Sequence, residues 1–344
     1  MKLGIVGLPG SGKTTIFEAL THSVAEPGHK SEARIGTIRV PDKRVDILSS
    51  MYMPQKTIFA QIEYFLPATA GILKDKSSDQ PAWTAVRDAD ALIHVIRNFS
   101  GYGLKAPTPL EDFQTFDQEM ILTDLVTVEK RLERLEADQK RGKAISPEEH
   151  GLLQECRKAL ERETPLRRYP DLAAAPSLKG YAFVSAKPML VLFNNDDEND
   201  TLPEIEGMAD REKYALIKGK LEQELSQMSE DEAQDFLSEF NITASAMDRI
   251  LQQSYELLGL ISFFTVGQDE VRAWTITNGT SAVDAAGVIH TDFKKGFIRA
   301  EVVSYADLLA AGVYHEARKK GTVRLEGKTY IVQDGDIINF RFNV

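Results

Sequence analysis

Gly7-Leu8-Pro9-Gly10-Ser11-Gly12-Lys13-Thr14 reads G-x-x-x-x-G-K-T, the phosphate-binding P-loop pattern. The motif carries chemistry only between a strand and a helix, and the flanking residues supply both. Lys2-Leu3-Gly4-Ile5-Val6 is a short apolar strand, and Thr15-Ile16-Phe17-Glu18-Ala19-Leu20 has helical periodicity. Glycines let the backbone turn tightly and bring N–H groups close to an anion. The helix N-terminus adds a partial positive charge. In this setting Lys13 is expected to reach the β/γ-phosphates and to act in catalysis, and Thr14 to place its hydroxyl on Mg²⁺. Leu8, Pro9, Gly10, Ser11, Gly12 and Thr15 complete the expected phosphate cradle.

Outward from the loop, strands and helices alternate to about Tyr102. Strands are expected at Leu3–Val6, Thr37–Val40, Ile58–Tyr64 and Ala91–Ile96, the last apolar enough for a buried parallel strand. Leu110–Arg141 is then charged and helical, with Leu122, Leu125, Val128, Leu132 and Leu135 at three- and four-residue spacing. Ser146-Pro147-Glu148-Glu149 is a capped start for a second helix through Glu163, so the pair reads as an inserted antiparallel hairpin. The α/β pattern resumes with Lys187–Phe193, followed by the polar run Asn194–Asp200. Helices are expected at Leu216–Met228, Glu230–Phe240 and Ser245–Leu258. From Ile261 the texture turns to short strands, among them Glu301–Val303, Thr329–Val332 and Ile337–Phe340, with a turn at Asp334-Gly335-Asp336. The fold class is therefore α/β: a doubly wound, mostly parallel sheet, an inserted helical hairpin and a small α+β C-terminal domain. The expected boundaries are 1–108 with 180–259, 109–179, and 260–344.

The 344 residues carry Lys+Arg 41 against Asp+Glu 52, net −11, which argues against bulk electrostatic binding of DNA or RNA but not against a local basic patch. One cysteine, Cys156, excludes a disulfide framework within the chain and a thiolate metal cluster. No stretch of 18 apolar residues occurs, and the N-terminus does not read as a signal peptide, so no membrane association and a cytoplasmic location are expected.

The chain resembles the YchF family, Obg-like P-loop NTPases with a C-terminal TGS domain. The resemblance rests on Gly4–Pro9 with Gly12–Thr15, on Val40-Pro41-Asp42-Lys43-Arg44, and above all on the C-terminal part. There the matching stretches are Phe263–Thr265, Glu270–Ile276, Ala285–Phe293, Gly296–Glu301 and Glu326–Asp336. It covers essentially the whole chain. It implies a GTPase-like core, a helical arm, a β-grasp-like TGS domain, hydrolysis of ATP or GTP, ribosome association and a monomer.

Three places bear on how much of that activity carries over. The family's switch I threonine falls at about Lys30, which cannot ligate Mg²⁺. Its switch II pattern Asp-x-x-Gly matches Ala68-Thr69-Ala70-Gly71, so Gly71 keeps the glycine whose N–H meets the γ-phosphate while the metal-binding aspartate is Ala68. Loss of that ligand is expected to weaken Mg²⁺ binding and slow hydrolysis. The base-reading loop matches Asn194-Asn195-Asp196-Asp197, with Asn194 and Asp197 as contacts, or, slipped by one, Asn195-Asp196-Asp197-Glu198. The first register favours guanine and the second restores the family's ATP-associated pattern. Gly219 in Lys218-Gly219-Lys220 is expected to let backbone approach the base. The rival to a nucleotide switch is a nucleotide-holding adaptor with little turnover. Lys294-Lys295 with Phe293 and Phe297, and Arg318-Lys319-Lys320, form either an RNA-facing patch or a solvated lysine face. His22 reads as a loop histidine, His94 as core and His290 as a structural hydrogen-bonding group.

Overall fold

A computed structural model describes residues 1–23, 32–68, 85–101, 103, 105–203, 205, 212–239 and 246–343. The strands are β1 (Lys2–Val6), β2 (Arg34–Arg39), β3 (Lys56–Ile58), β4 (Gln61–Leu66), β5 (Ala91–Asn98), β6 (Met189–Asn195) and β7 (Lys213–Ile217), followed by β8 (Leu260–Val266), β9 (Glu270–Thr277), β10 (Phe297–Ser304), β11 (Arg324–Glu326) and β12 (Asp336–Phe342). The helices begin with α1 (Lys13–Thr21), α2 (Lys43–Tyr52), α3 (Pro109–Lys140), α4 (Pro147–Glu161) and α5 (Pro170–Ala174). They continue with α6 (Gly219–Leu225), α7 (Glu230–Glu239), α8 (Ala246–Leu257), α9 (Ala282–Ile289), α10 (Thr291–Lys295), α11 (Tyr305–Ala311) and α12 (Tyr314–Lys319). The chain forms two compact units, Met1–Thr37 with Glu63–Ile250, and Ile38–Ile62 with Leu251–Val344.

The first unit is built on a six-stranded sheet of order β2-β4-β1-β5-β6-β7. The β1–β4, β1–β5, β5–β6 and β6–β7 pairs are parallel. Every residue of β6 and the first six of β5 are buried, as their mostly apolar runs require of strands covered on both faces, with His94, Asn194 and Asn195 the buried polar members. This is the α/β class expected from the sequence. Strand β7 is a correction: Leu216 and Ile217 end a strand paired to β6 rather than starting a helix.

The helical hairpin is present. Its core joins Ile121, Val128, Leu132 and Leu135 of α3 to Leu153, Cys156, Ala159 and Leu160 of α4. Leu122 is 55% exposed, because the buried stripe steps back four residues from Leu125 to Ile121 and leaves its neighbour facing water. Ser146 caps α4, its Oγ accepting from the Glu149 N–H at 3.3 Å.

The second unit carries a mixed sheet of order β11-β10-β12-β8-β9-β3. Residues 38–62 cluster with it, although the sequence reading placed them with the P-loop. Three contacts explain this. Strand β3 pairs in parallel with β9, Val45 and Leu48 pack with Phe264 and Val271, and Arg44 holds two carboxylates. Its guanidinium meets Asp42 at 2.8 Å and Asp334 at 2.7 Å, while Asp334 Oδ1 accepts from the Ser262 N–H at 2.9 Å. Two stretches that carry the resemblance, Val40–Arg44 and Glu326–Asp336, thus meet in one ion-pair network. The expected strand Ile58–Tyr64 divides at Phe59-Ala60, sending β3 to this sheet and β4 to the other. Thr329–Val332 is a further correction. It is irregular apart from an isolated bridge at Ile331, because its backbone bonds the segment before α9 instead (Ala282 N–H to Tyr330 O, 2.7 Å; Val332 N–H to Thr280 O, 3.1 Å).

Candidate nucleotide-binding site

The loop between β1 and α1 takes the backbone path its glycines allow. Gly7, Gly10 and Gly12 have φ of 144°, 80° and 92°, values that side chains disfavour. A Cβ on Gly7 would lie 2.3 Å from the Val95 carbonyl oxygen. One on Gly12 would lie 2.2 Å from Asn194 Nδ2. Helix α1 opens with no side-chain cap and no acidic residue in its first turn, leaving its N–H groups and positive dipole end uncompensated. Leu8, Pro9 and Gly10 form the outer rim, Ser11 is buried, and Thr14 and Thr15 are half-buried in the first turn. The Lys13 side chain is buried, with Nζ donating to the Leu8 carbonyl at 2.8 Å, which arches it across the loop. Burial lowers its pKa from 10.5 to about 8, so the ammonium is poorly solvated and poised for an anion.

The base end comes from three other loops. Asn194, at the end of β6, donates from Nδ2 to the Ser11 carbonyl at 3.0 Å and accepts at Oδ1 from the Gly219 N–H at 3.0 Å. One buried amide therefore staples the P-loop to the start of α6. Gly219 is required there, since a Cβ would lie 2.7 Å from Asn194 Oδ1 and from Ile16 Cδ1. Asn195 is spent on the loop itself. Its Nδ2 donates to the carbonyls of Asn199 and Thr201, and its Oδ1 accepts from Asn98. Asp196 accepts from the Ser100 N–H at 3.0 Å, and Asp197 is exposed.

Lys30 and Gly71 lie outside the described residues. Ala68 is described and exposed. Among the described residues no group of three or more His, Cys, Asp or Glu is placed to hold a metal. His94 is core: it is fully buried, with Phe116 stacked at 4.0 Å and Phe113 at 6.0 Å, and burial lowers its pKa to about 3, helped by the charges of Arg167 and Lys13. His22 ends α1 in the left-handed conformation, and its ring lies 3.3 Å from the Ser226 carbonyl. His290 caps α10, accepting from the Asp292 N–H at 3.2 Å.

A ribosome-binding ATPase YchF from Bacillus subtilis (strain 168) is 38% identical over 363 residues, covering 99% of each chain. The chain belongs to the YchF family. A ribosome-binding ATPase YchF from Haemophilus ducreyi is 35% identical, covering 100% of this chain and 99% of its own. The Schizosaccharomyces pombe YchF GTPase structure superposes with a TM-score of 0.83 at 29% identity, over 99% of this chain and 97% of that one. Residues 2–131 match the model described as 50S ribosome-binding GTPase, and residues 260–343 match YchF-GTPase_C, described as a protein of unknown function (DUF933).

Within this YchF chain, the sequence reading missed the loop after β5. Arg97 donates to the carbonyls of Phe99, Lys105 and Ala106, at 3.1, 2.9 and 3.2 Å, and so ties Phe99 to Lys105 and Ala106. Phe99 is thereby held beside Gly12, its ring 3.8 Å from where a Cβ would stand. The available signal was position: Phe99 follows the C-terminal end of a central parallel strand, where such sheets bind ligands.

Proposed function

We infer that this chain is a P-loop nucleotide hydrolase of the cytoplasm that binds ATP or GTP with Mg²⁺ and works on the ribosome. The observation that carries the reading is the Asn194 staple, which joins an uncapped, lysine-bearing phosphate loop to the loops that flank a base. We read the base loop in its first register, with Asn194 and Asp197 as the base-end residues; the place of Asn194 at the seam and the use of the Asn195 amide within its own loop support that reading. Gly219 offers backbone at the same seam. Lys13 would hold the β/γ-phosphates in a poorly solvated setting where its charge acts strongly. Mg²⁺ suits this donor set in one way. Thr14 supplies a hydroxyl at the head of α1, and the remaining ligands are the phosphate oxygens and water typical of a nucleotide-bound Mg²⁺. The ion would neutralise charge building on the phosphates. Gly71 is assigned to the γ-phosphate by its place in the switch II pattern. The curated relatives' names support the ribosome as partner, and a TGS reading of the C-terminal unit agrees with it.

Ala68 favours a second reading, a nucleotide-holding adaptor with little turnover, because no carboxylate stands at the switch II metal position. Phosphate release from ATP and GTP, with and without Mg²⁺, separates the two, with co-sedimentation on ribosomes in the same samples. Mg²⁺-dependent release that Lys13→Ala abolishes supports the hydrolase. Tight binding with no release, with or without ribosomes, contradicts it and leaves the adaptor.

A further inference from the structure

The C-terminal unit contains a cavity of about 550 Å³ walled by Tyr52, Trp274, Phe293, Tyr314 and Phe342. Its origin lies in the strand pairing. Strand β12 is joined to β10 from Phe297↔Phe342 to Ser304↔Asp336, but to β8 only at Ile337↔Phe264. The lining draws on both strands just after that pair: Thr265 and Val266 of β8, Ile338 and Asn339 of β12.

The walls are held rigidly. Trp274 Nε1 donates to Thr265 Oγ1 at 3.0 Å, and the Arg272 guanidinium lies 3.8 Å from the indole centre. Phe293 and Phe342 stack with centroids 3.8 Å apart and planes 26° from parallel. Asn339 brings an amide to the lining, and Glu270 a carboxylate acceptor. Charge is divided unevenly along the chain. Residues 38–62 and 251–344 hold 14 Lys+Arg against 13 Asp+Glu, net +1, whereas the rest holds 27 against 39, net −12. A polyanion is therefore repelled by most of the sequence and tolerated by this unit.

We propose that this cavity captures an unstacked nucleobase from a single-stranded segment of ribosomal RNA. The proposal rests on the ribosome reading above and names where RNA is gripped. Rigid ring faces suit the π-face of any base, and single-stranded RNA is recognised by such splayed bases. The Asn339 amide and Glu270 carboxylate can pair with a base edge, Glu270 accepting from an exocyclic amine. The exposed Lys295, two residues beyond Phe293, offers a cation to the flanking phosphates, while Arg272 is held between the Trp274 ring and Glu270, 3.9 Å away. Six of the thirteen lining residues are aromatic and four are aliphatic, and the larger share of flat rings favours a base over a peptide side chain.

The test uses the full chain carrying Trp83→Phe, which leaves Trp274 as its single tryptophan. Twelve-residue single-stranded RNA is expected to quench Trp274 fluorescence. Phe293→Leu and Phe342→Leu are expected to weaken RNA binding and ribosome co-sedimentation about tenfold each, as loss of one base–aromatic stack does. ATP and GTP binding should be unchanged in both variants, and an unchanged thermal-unfolding transition of the C-terminal unit, followed by Trp274 fluorescence without RNA, reports their folding. Unaltered RNA affinity in both variants with no quenching overturns the proposal while ribosome binding by the parent chain stands. Quenching by mononucleotides as strong as by RNA, or by unstructured peptides instead of RNA, also overturns it. Failure of the parent chain to co-sediment with ribosomes in any nucleotide state overturns the ribosome reading itself.

Discussion

The phosphate end and the base end of the candidate site are built in opposite ways. The phosphate end is one continuous stretch, Gly7–Thr14, whose glycines and helix start are set by local backbone preference. The proposed base end draws on Asn194 at the end of β6 and Gly219 at the head of α6, with Phe99 after β5 beside Gly12, residues brought together by the parallel sheet. What the contrast teaches is that the two halves are not independent. The amide that organises the base end is bonded to Ser11 of the phosphate loop and sits where a Gly12 Cβ would be. Damage to one end should therefore be felt at the other.

The largest effect is expected at the phosphate end alone. Lys13→Ala removes the charge that pairs with the phosphates and should cost about 3 kcal/mol of binding, roughly a hundredfold, by equilibrium titration. Next come the residues at the seam. Asn194→Ala leaves the Gly219 N–H and Ser11 carbonyl without their partner, so stability should fall by about 2–3 kcal/mol in denaturant unfolding. Gly12→Ala puts a Cβ on a left-handed backbone against that amide and should cost about as much. The double variant sharpens the comparison. Shortening Asn194 removes the atom that the added Cβ would strike, so the two losses should fall short of additive by at least about 0.5 kcal/mol. Strict additivity would mean that the two ends are energetically separate.

A smaller effect concerns pH. The folded-state pKa of Lys13 lies near 8, below the 10.5 of an exposed lysine, because burial penalises its charge. Without nucleotide, the folded chain binds fewer protons than the unfolded chain between those values. This group's contribution to stability therefore rises as pH climbs from about 8 to 10.5. Phosphate favours the ammonium, so nucleotide binding should take up a proton in that window and weaken, by no more than tenfold per pH unit. Calorimetry in buffers of different ionisation enthalpy measures that uptake, and Lys13→Ala should abolish it. The smallest effect is at the exposed rim. Asp197→Asn should leave the fold intact and change the ratio of GTP to ATP affinity several-fold, seen by competition titration.

Legibility in the sequence followed the same division. The P-loop, β5 and β6 could be read because local pattern decides them: glycines at fixed offsets, or apolar runs with a buried strand as their natural setting. Asn194 was readable as a residue, but its bond to Ser11, 183 positions away, was not, because no local pattern encodes so distant a partner. Phe99 carried no motif at all. Other misreadings also had long-range causes. Leu216 and Ile217, the last two residues of β7, passed for helix because their pairing with β6 outweighs a short stretch's own preference. Thr329–Val332 is rich in strand-formers, yet its backbone bonds go to the segment before α9. The 38–62 segment follows the P-loop in sequence, but Arg44 ties it to Asp334.

The most direct test is a calorimetric titration of ATP and GTP into the purified chain and into Lys13→Ala, each with and without Mg²⁺. The account predicts saturable one-site binding to the parent chain, strengthened by Mg²⁺ and lost in the variant. No binding of either nucleotide to the parent chain, or equal binding to the variant, would contradict it.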